Sequence, residues 1–207
     1  MRVFVADSPD EKGKLGAIAA VFKYMWQGRV LDVGSRGGRL RRELPPALAY
    51  YGLDIIPPAD VLANLESGLP FQPRSFDAVV ALDVLEHTNN IHRAIAQLCR
   101  VSHHYVVISL PNVYEIVSRV RFALGKPISG KYGLPAEPLA DRHRLVLSWL
   151  EAREFTSTLG LSHGFQVVDE GCLLGPRRGR LPGRLLVQWA PNVFSPWYVG
   201  LLERTAN

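Results

Sequence analysis

Hydrophobic and polar positions fall into two kinds of block along the 207 residues. Short runs dense in Val, Ile, Leu and Ala predict buried strands, and longer stretches with apolar residues every three or four positions predict amphipathic helices. The strands expected on this pattern are 29–34, 49–55, 60–65, 75–83, 104–110, 165–173 and 197–203. The run 75–83 is almost unbroken in apolar character, as a strand covered on both faces should be. Helices are expected at 10–26, 39–44, 90–101, 113–124 and from Ser148 to about Leu161. Ser148 and Glu151 have capping-box spacing, and Gly164 provides a stop. Strand-like and helical blocks alternate, so the expected fold class is α/β: a doubly wound, mostly parallel, seven-stranded sheet with helices on both faces. No repeat interrupts the pattern. Residues 1–207 are read as one domain, with 111–144, rich in Gly and Pro at 125–141, as an insertion or lid over the carboxyl ends of the strands.

Composition narrows the class. With 47% hydrophobic and 21% charged residues the chain can bury a core, which excludes a disordered protein. Cys99 and Cys172 show neither metal-ligand spacing nor a disulfide framework, so no metal is expected and a reducing, cytoplasmic setting is the default. The apolar stretch 15–26 contains Lys23 and is too short to span a bilayer, and no secretory signal is visible.

Charge is uneven. Four of the five net positive charges lie beyond Gly171, where Arg177, Arg178, Arg180, Arg184 and Arg204 face a single acid, Glu203. A solvated Arg-rich loop is one reading. A patch for phosphate, an acidic partner or, with Trp189 and Trp197, peripheral contact with a membrane is another. The central run 175–183 has no interleaved aromatics, so no specific nucleic-acid partner is expected.

In an open parallel sheet, ligands bind at the carboxyl ends of the strands, where strand order reverses. The first expected strand ends in Asp32-Val-Gly34-Ser35-Arg36-Gly37-Gly38. Glycines there permit a tight turn and close approach of a ligand to the main chain, and a following helix would present free amides. Such a loop is equally compatible with a purely structural turn. The second strand ends in Gly52-Leu53-Asp54, about twenty residues after the glycines, where a carboxylate can accept from both hydroxyls of a ribose. The alternative for Asp54 is a turn or helix cap. The glycine spacing does not fit a dinucleotide fingerprint, and an acid at Asp32 sits badly beside a pyrophosphate. It suits a cationic nucleoside, so the charge favours S-adenosylmethionine over NAD.

These segments resemble the motifs of class I S-adenosylmethionine-dependent methyltransferases. The stretch 30–40 resembles their first motif, 51–55 their second, 65–71 the link between third and fourth strands, and 75–87 their fourth-strand motif. The resemblance implies a Rossmann-like methyltransferase fold, with S-adenosyl-L-methionine as cofactor and S-adenosyl-L-homocysteine as product. It implies that Asp32 and the backbone of Gly34, Ser35, Arg36, Gly37 and Gly38 face the methionine moiety. Asp54 would hold the ribose and Ile55 would lie against adenine. Asn64 and Leu65 would lie at the adenine edge, and Asp83 and Val84 beside the sulfonium. The family usually has glycine where Arg36 stands and an acid where Asn64 stands. The later stretches 109–112, 121–127, 189–194 and 201–204 resemble the MetW-like, methionine-biosynthesis branch, which implies association with a homoserine acyltransferase.

Methyl transfer needs alignment and a dry, charged surrounding more than dedicated acid–base groups. Glu86 and His87 are the candidate catalytic residues, with His92 behind them; the alternative is that Glu86 and His87 orient the loop after the fourth strand. The cluster Asp141-Arg142-His143-Arg144 is either surface or a grip on an acidic acceptor. Tyr114, Tyr132 and Trp149 either line an acceptor pocket or belong to the core. Two functions follow: a methyltransferase acting on a small-molecule acceptor, or a non-catalytic, MetW-like partner of an acyltransferase.

Overall fold

The computed structural model describes residues 1–5, 11–132 and 142–205. Its strands are β1 (Arg2–Val5), β2 (Arg29–Val33), β3 (Ala49–Asp54), β4 (Val61–Leu62), β5 (Phe76–Leu82), β6 (Ser102–Pro111), β7 (Phe165–Leu174) and β8 (Trp197–Arg204). They form one sheet in the order β1-β7-β8-β6-β5-β2-β3-β4. Every pair is parallel except those of β8, which runs antiparallel to both β6 and β7. From β2 the chain moves outward to β3 and β4, then returns to β5 on the other side. Strand order therefore reverses between β2 and β5, the place where an open parallel sheet generally leaves a crevice above its carboxyl ends.

The apolar runs explain why this sheet is covered on both faces. Successive side chains of a strand point to opposite faces. Along β5, Val79 and Ala81 join one core while Ala78 and Val80 join the other. The first core takes Leu98 from α2 (Ile91–Val101) and Trp149 and Ala152 from α4 (Trp149–Ser162). The second takes Leu15, Ile18 and Ala19 from α1 (Glu11–Val21), with Phe22 just beyond it. Helix α4 begins on the expected capping box: Glu151 N donates to Ser148 Oγ at 3.1 Å and Ser148 N donates to Glu151 Oε2 at 2.8 Å. It ends before Gly164, whose φ of +74° few other residues adopt.

The structure departs from the pattern in four places. The sheet has eight strands, because β1 adds to the edge of β7 in parallel, Arg2 opposite Gly171 and Val5 opposite Leu174. A Cβ at Gly171 would lie 2.3 Å from Arg2 O, so glycine permits this close pairing. The third expected strand shrinks to the two residues of β4. The segment 39–44 makes only a 3-10 turn, Leu40–Glu43, which is too short to act as an anion-binding helix end. The basic Gly/Pro stretch is not all loop: Pro182 opens α5 (Leu181–Trp189), followed by α6 (Pro191–Phe194). The helix expected at 113–124 is α3 (Ile116–Ala123).

Among the described residues no helix is long and apolar enough to cross a membrane. Cys99 and Cys172 are buried free thiols, which burial pushes up to about 12 and about 11 respectively.

Candidate active site

The glycine loop follows β2 directly. Gly34, Gly37 and Gly38 have φ of +74°, +79° and +72°. At Gly34 the reason is contact within the protein: an added Cβ would lie 2.2 Å from Cγ2 of Val84, which packs on the loop from the end of β5. Around Gly37 a Cβ would meet only Pro58, at 3.4 Å. Arg36, where the motif has glycine, also takes a positive φ, +44°. Its exposed side chain is tolerated, but the backbone conformation is the one glycine would adopt at lower cost.

Asp54, at the tip of β3 and only 8% exposed, pins that loop. Its Oδ2 accepts from Arg36 N at 3.0 Å, and its Oδ1 from Ile55 N at 2.7 Å and Ile56 N at 3.3 Å. Each carboxylate oxygen can accept more than one bond, so room remains for a ribose hydroxyl. Ile55 and Ile56 stand 69% and 65% exposed beside it and offer an apolar surface to a flat ring. Ser35 is buried, and its Oγ has no hydrogen-bond partner.

Asp32 is buried beneath the loop, where its carboxylate accepts from the hydroxyl of Tyr50. Burial first, then the charge of Asp32, raises the Tyr50 phenol well above its ordinary value. Asn64 is spent as a cap, its Oδ1 accepting from Glu66 N at 2.9 Å. The Leu65 side chain lies in the core, leaving only its main chain for a ligand edge.

Sequence reasoning missed Lys14. This buried residue of α1 pairs with Asp83 Oδ2 and stands 4.6 Å from the ring centre of Trp197. Asp83 has φ of +54°, and Ser109 holds it twice: Asp83 N donates to Ser109 Oγ at 3.0 Å and Ser109 Oγ donates to Asp83 Oδ1 at 2.8 Å. Burial pushes the Asp83 carboxyl up, but the charge and hydrogen bond of Lys14, the hydrogen bond of Ser109 and the charge of Arg36 together hold it below its ordinary value. No local pattern marked Lys14, because the contact joins two segments far apart in sequence.

Glu86 and His87 lie in the 3-10 turn Leu85–His87 that follows β5. Glu86 is 1% exposed, and burial, then the nearby charge of Asp83, pushes its carboxyl up to about 8. His143 reaches the same place: its Nε2 lies 3.8 Å from Glu86 Oε1, and its ring meets that of His87 edge-on with centres 4.7 Å apart. Tyr132 joins them, its hydroxyl 2.9 Å from His143 Nδ1. The other candidates separate. His92 packs on Phe155 along α2 and α4, and Trp149 is core, edge-on to Tyr198. Tyr114 is exposed, and Asp141 lies outside the described residues. In the basic region, Arg178 pairs with Glu115 at 3.0 Å and Arg204 turns inward onto carbonyl oxygens, while Trp189 is 81% exposed.

The donor set fits an S-adenosyl nucleoside in its essentials. There is a carboxylate at the β3 tip, a turn of positive-φ glycines, an exposed apolar pair and, paired with Asp83, the cation of Lys14. The comparisons agree. Residues 31–105 match the family model described as a methyltransferase domain. No curated protein matches the sequence. Among solved structures, the chain is similar to the small RNA methyltransferase HEN1, with TM-score 0.64 and 17% identity over 96% of this chain. It spans only 26% of the HEN1 chain. It is similar to the magnesium protoporphyrin IX methyltransferase ChlM of Synechocystis PCC 6803, solved with bound SAH, with TM-score 0.56 and 16% identity over 94% of this chain and 82% of that one. It is also similar to the [4+2]-cyclase SpnF, with TM-score 0.57 and 15% identity over 94% and 81%. At such identities the likeness is one of fold, and SpnF carries a different chemistry on it. Residues 31–105 thus resemble a methyltransferase domain, and they lie on a Rossmann-like fold that solved methyltransferases share.

Proposed function

We propose that the chain transfers a methyl group from S-adenosylmethionine to a small-molecule acceptor in the crevice between β2 and β5. The observation that carries this reading is the pinning of the glycine turn by Asp54, which fixes a carboxylate and an open main chain side by side at the switch point of the sheet. The cofactor supplies an activated methyl group. Asp54 would accept from its ribose hydroxyls, and Ile55 would cover one face of adenine. The main chain of Asn64 and Leu65 would meet the ring edge. The loop from Gly34 to Gly38, with Asp32 supporting it through Tyr50, would approach the amino-acid tail, and Lys14 would attract its carboxylate. Asp83 and Val84 would border the sulfonium. Glu86 and His87 would face the acceptor from the turn after β5, and the segment 111–144, of which 133–141 lie outside the described residues, would serve as a lid.

A second reading has its own support. Each of the three carboxylates in the crevice already has an internal partner: Asp32 with Tyr50, Asp54 with three amides, Asp83 with Lys14 and Ser109. A crevice satisfied from within suits a MetW-like regulatory partner of a homoserine acyltransferase that has lost turnover.

Calorimetry with S-adenosylmethionine and S-adenosylhomocysteine separates the two. The methyltransferase reading expects both to bind, and Asp54→Ala to weaken binding by about 1–3 kcal/mol. Absence of binding by either nucleoside rejects it. Binding without turnover on any acceptor, together with co-purification of an acyltransferase, favours the second.

A further inference from the structure

We propose that Glu86, His87 and His143 form a binding site for a divalent first-row metal ion. One ligand atom from each lies within 4.8 Å of the other two. Two ligands are adjacent and the third comes from beyond a long loop, so no local ligand spacing marks the site.

Three observations build the site. First, Glu86 is almost fully buried, and its Oε2 has no hydrogen-bond partner. An unsatisfied carboxylate oxygen in such a place is costly unless a cation or donor arrives. Second, both imidazoles are oriented from behind. His87 Nδ1 lies 3.1 Å from the carbonyl oxygen of Arg142, which can only accept, so in the neutral ring the proton sits on Nδ1 and Nε2 is the atom that would meet an ion. His143 Nδ1 is held by the Tyr132 hydroxyl, which leaves its Nε2 on the side of Glu86. Holding the rear nitrogen in this way is how proteins aim imidazole ligands. Third, main-chain bonds hold the His143 segment from two sides: Arg144 N donates to Glu86 O at 2.8 Å, and His143 N to Lys131 O at 3.2 Å.

The chemistry of the set selects the ion. Two imidazoles with one carboxylate suit Mn²⁺, Fe²⁺, Co²⁺ or Zn²⁺ and leave positions open. Ligand atoms at about 2.1 Å from an ion stand roughly 3–3.5 Å apart, so small side-chain movements complete the site. On the methyltransferase reading above, on which this last step rests, an open position would take an acceptor hydroxyl and favour loss of its proton to water.

The test uses the full chain stripped with chelator and titrated with Co²⁺, read by visible absorption and calorimetry. We expect one ion per chain and a d–d band. Binding should weaken roughly tenfold or more in His143→Ala and in Glu86→Gln. His104→Ala, in an exposed Asp77-His103-His104 cluster, should leave it unchanged. Circular dichroism and binding of S-adenosylhomocysteine show whether the variants stay folded. No binding to the stripped chain overturns the site. So does binding that survives His143→Ala and disappears in His104→Ala. Cobalt binding at Glu86 and His143 without nucleoside binding supports the site while rejecting the methyltransferase reading. Nucleoside binding without cobalt does the reverse.

Discussion

Lys14 closes on the carboxylate of Asp83 across 69 residues of sequence, joining the first helix to the end of β5. The pair places a positive charge at the floor of the crevice and fixes a negative one beside it.

Lys14→Met should therefore have a pH-dependent cost. The Asp83 carboxyl is held below its ordinary value of 3.8, so its stabilising contribution is complete above that value and disappears as pH falls through the lower folded value. Without Lys14 the folded value rises and the contribution shrinks. Urea unfolding should show a loss of about 1–3 kcal/mol at neutral pH, smaller than for a fully buried pair because Asp83 is partly exposed. Below pH 3.8 the difference between variant and parent should narrow. An equal difference at both pH values would show that the pair contributes only packing.

Gly34→Ala forces a methyl group into the space of Val84 and keeps a positive φ. We expect a loss of about 2–4 kcal/mol, the sum of overpacking and left-handed strain. Adding Val84→Ala should return the overpacking part and not the strain. A double-mutant cycle in chemical unfolding measures the two, and additive losses would mean that the residues do not touch.

Arg36→Gly should act in the opposite direction. Relief of a left-handed residue is worth about 1–2 kcal/mol, and the freer unfolded chain takes back about 0.4–1 kcal/mol. A small rise in thermal midpoint is expected. A fall would assign the guanidinium a structural role that outweighs the strain.

Arg204 separates the structural part of the basic region from the rest. It donates to Cys99 O at 2.7 Å, Ser102 O at 2.6 Å and His103 O at 3.1 Å, with its guanidinium 4.4 Å from the ring centre of Phe165. Arg204→Ala should cost about 2–4 kcal/mol. The exposed Arg177 and Arg180 should each change stability by less than about 0.5 kcal/mol when replaced by Ala. Thermal unfolding of the three variants checks the contrast.

What the sequence made legible follows from the range of each interaction. Strands β2, β5 and β6 carry β-branched and apolar residues buried on both faces, and their own composition marks them. Strand β1 has only Phe4 fully covered and takes its identity from residues 171–174, which no local window contains. Glycine and proline at 175–183 signal a loop, yet Pro182 is the first-turn proline of a helix; proline favours both settings. The same division runs through the site. The glycine turn and Asp54 are close in sequence and were readable together. Lys14 and His143 reach theirs through the tertiary fold. Leu65 and Trp149 show the converse, since an apolar residue near a site motif has the same signature whether it faces a ligand or the core.

Strand β8 follows every other strand in the chain and sits between β6 and β7. A nascent chain can join β2 through β6 as soon as they emerge, but β7, with β1 on its far edge, has no route into the sheet until β8 bridges the gap. Strand β1 thus waits for β8. Until then an open β6 edge, lined by Val106, Val107 and Ile108, is the surface on which misassembly during synthesis would begin.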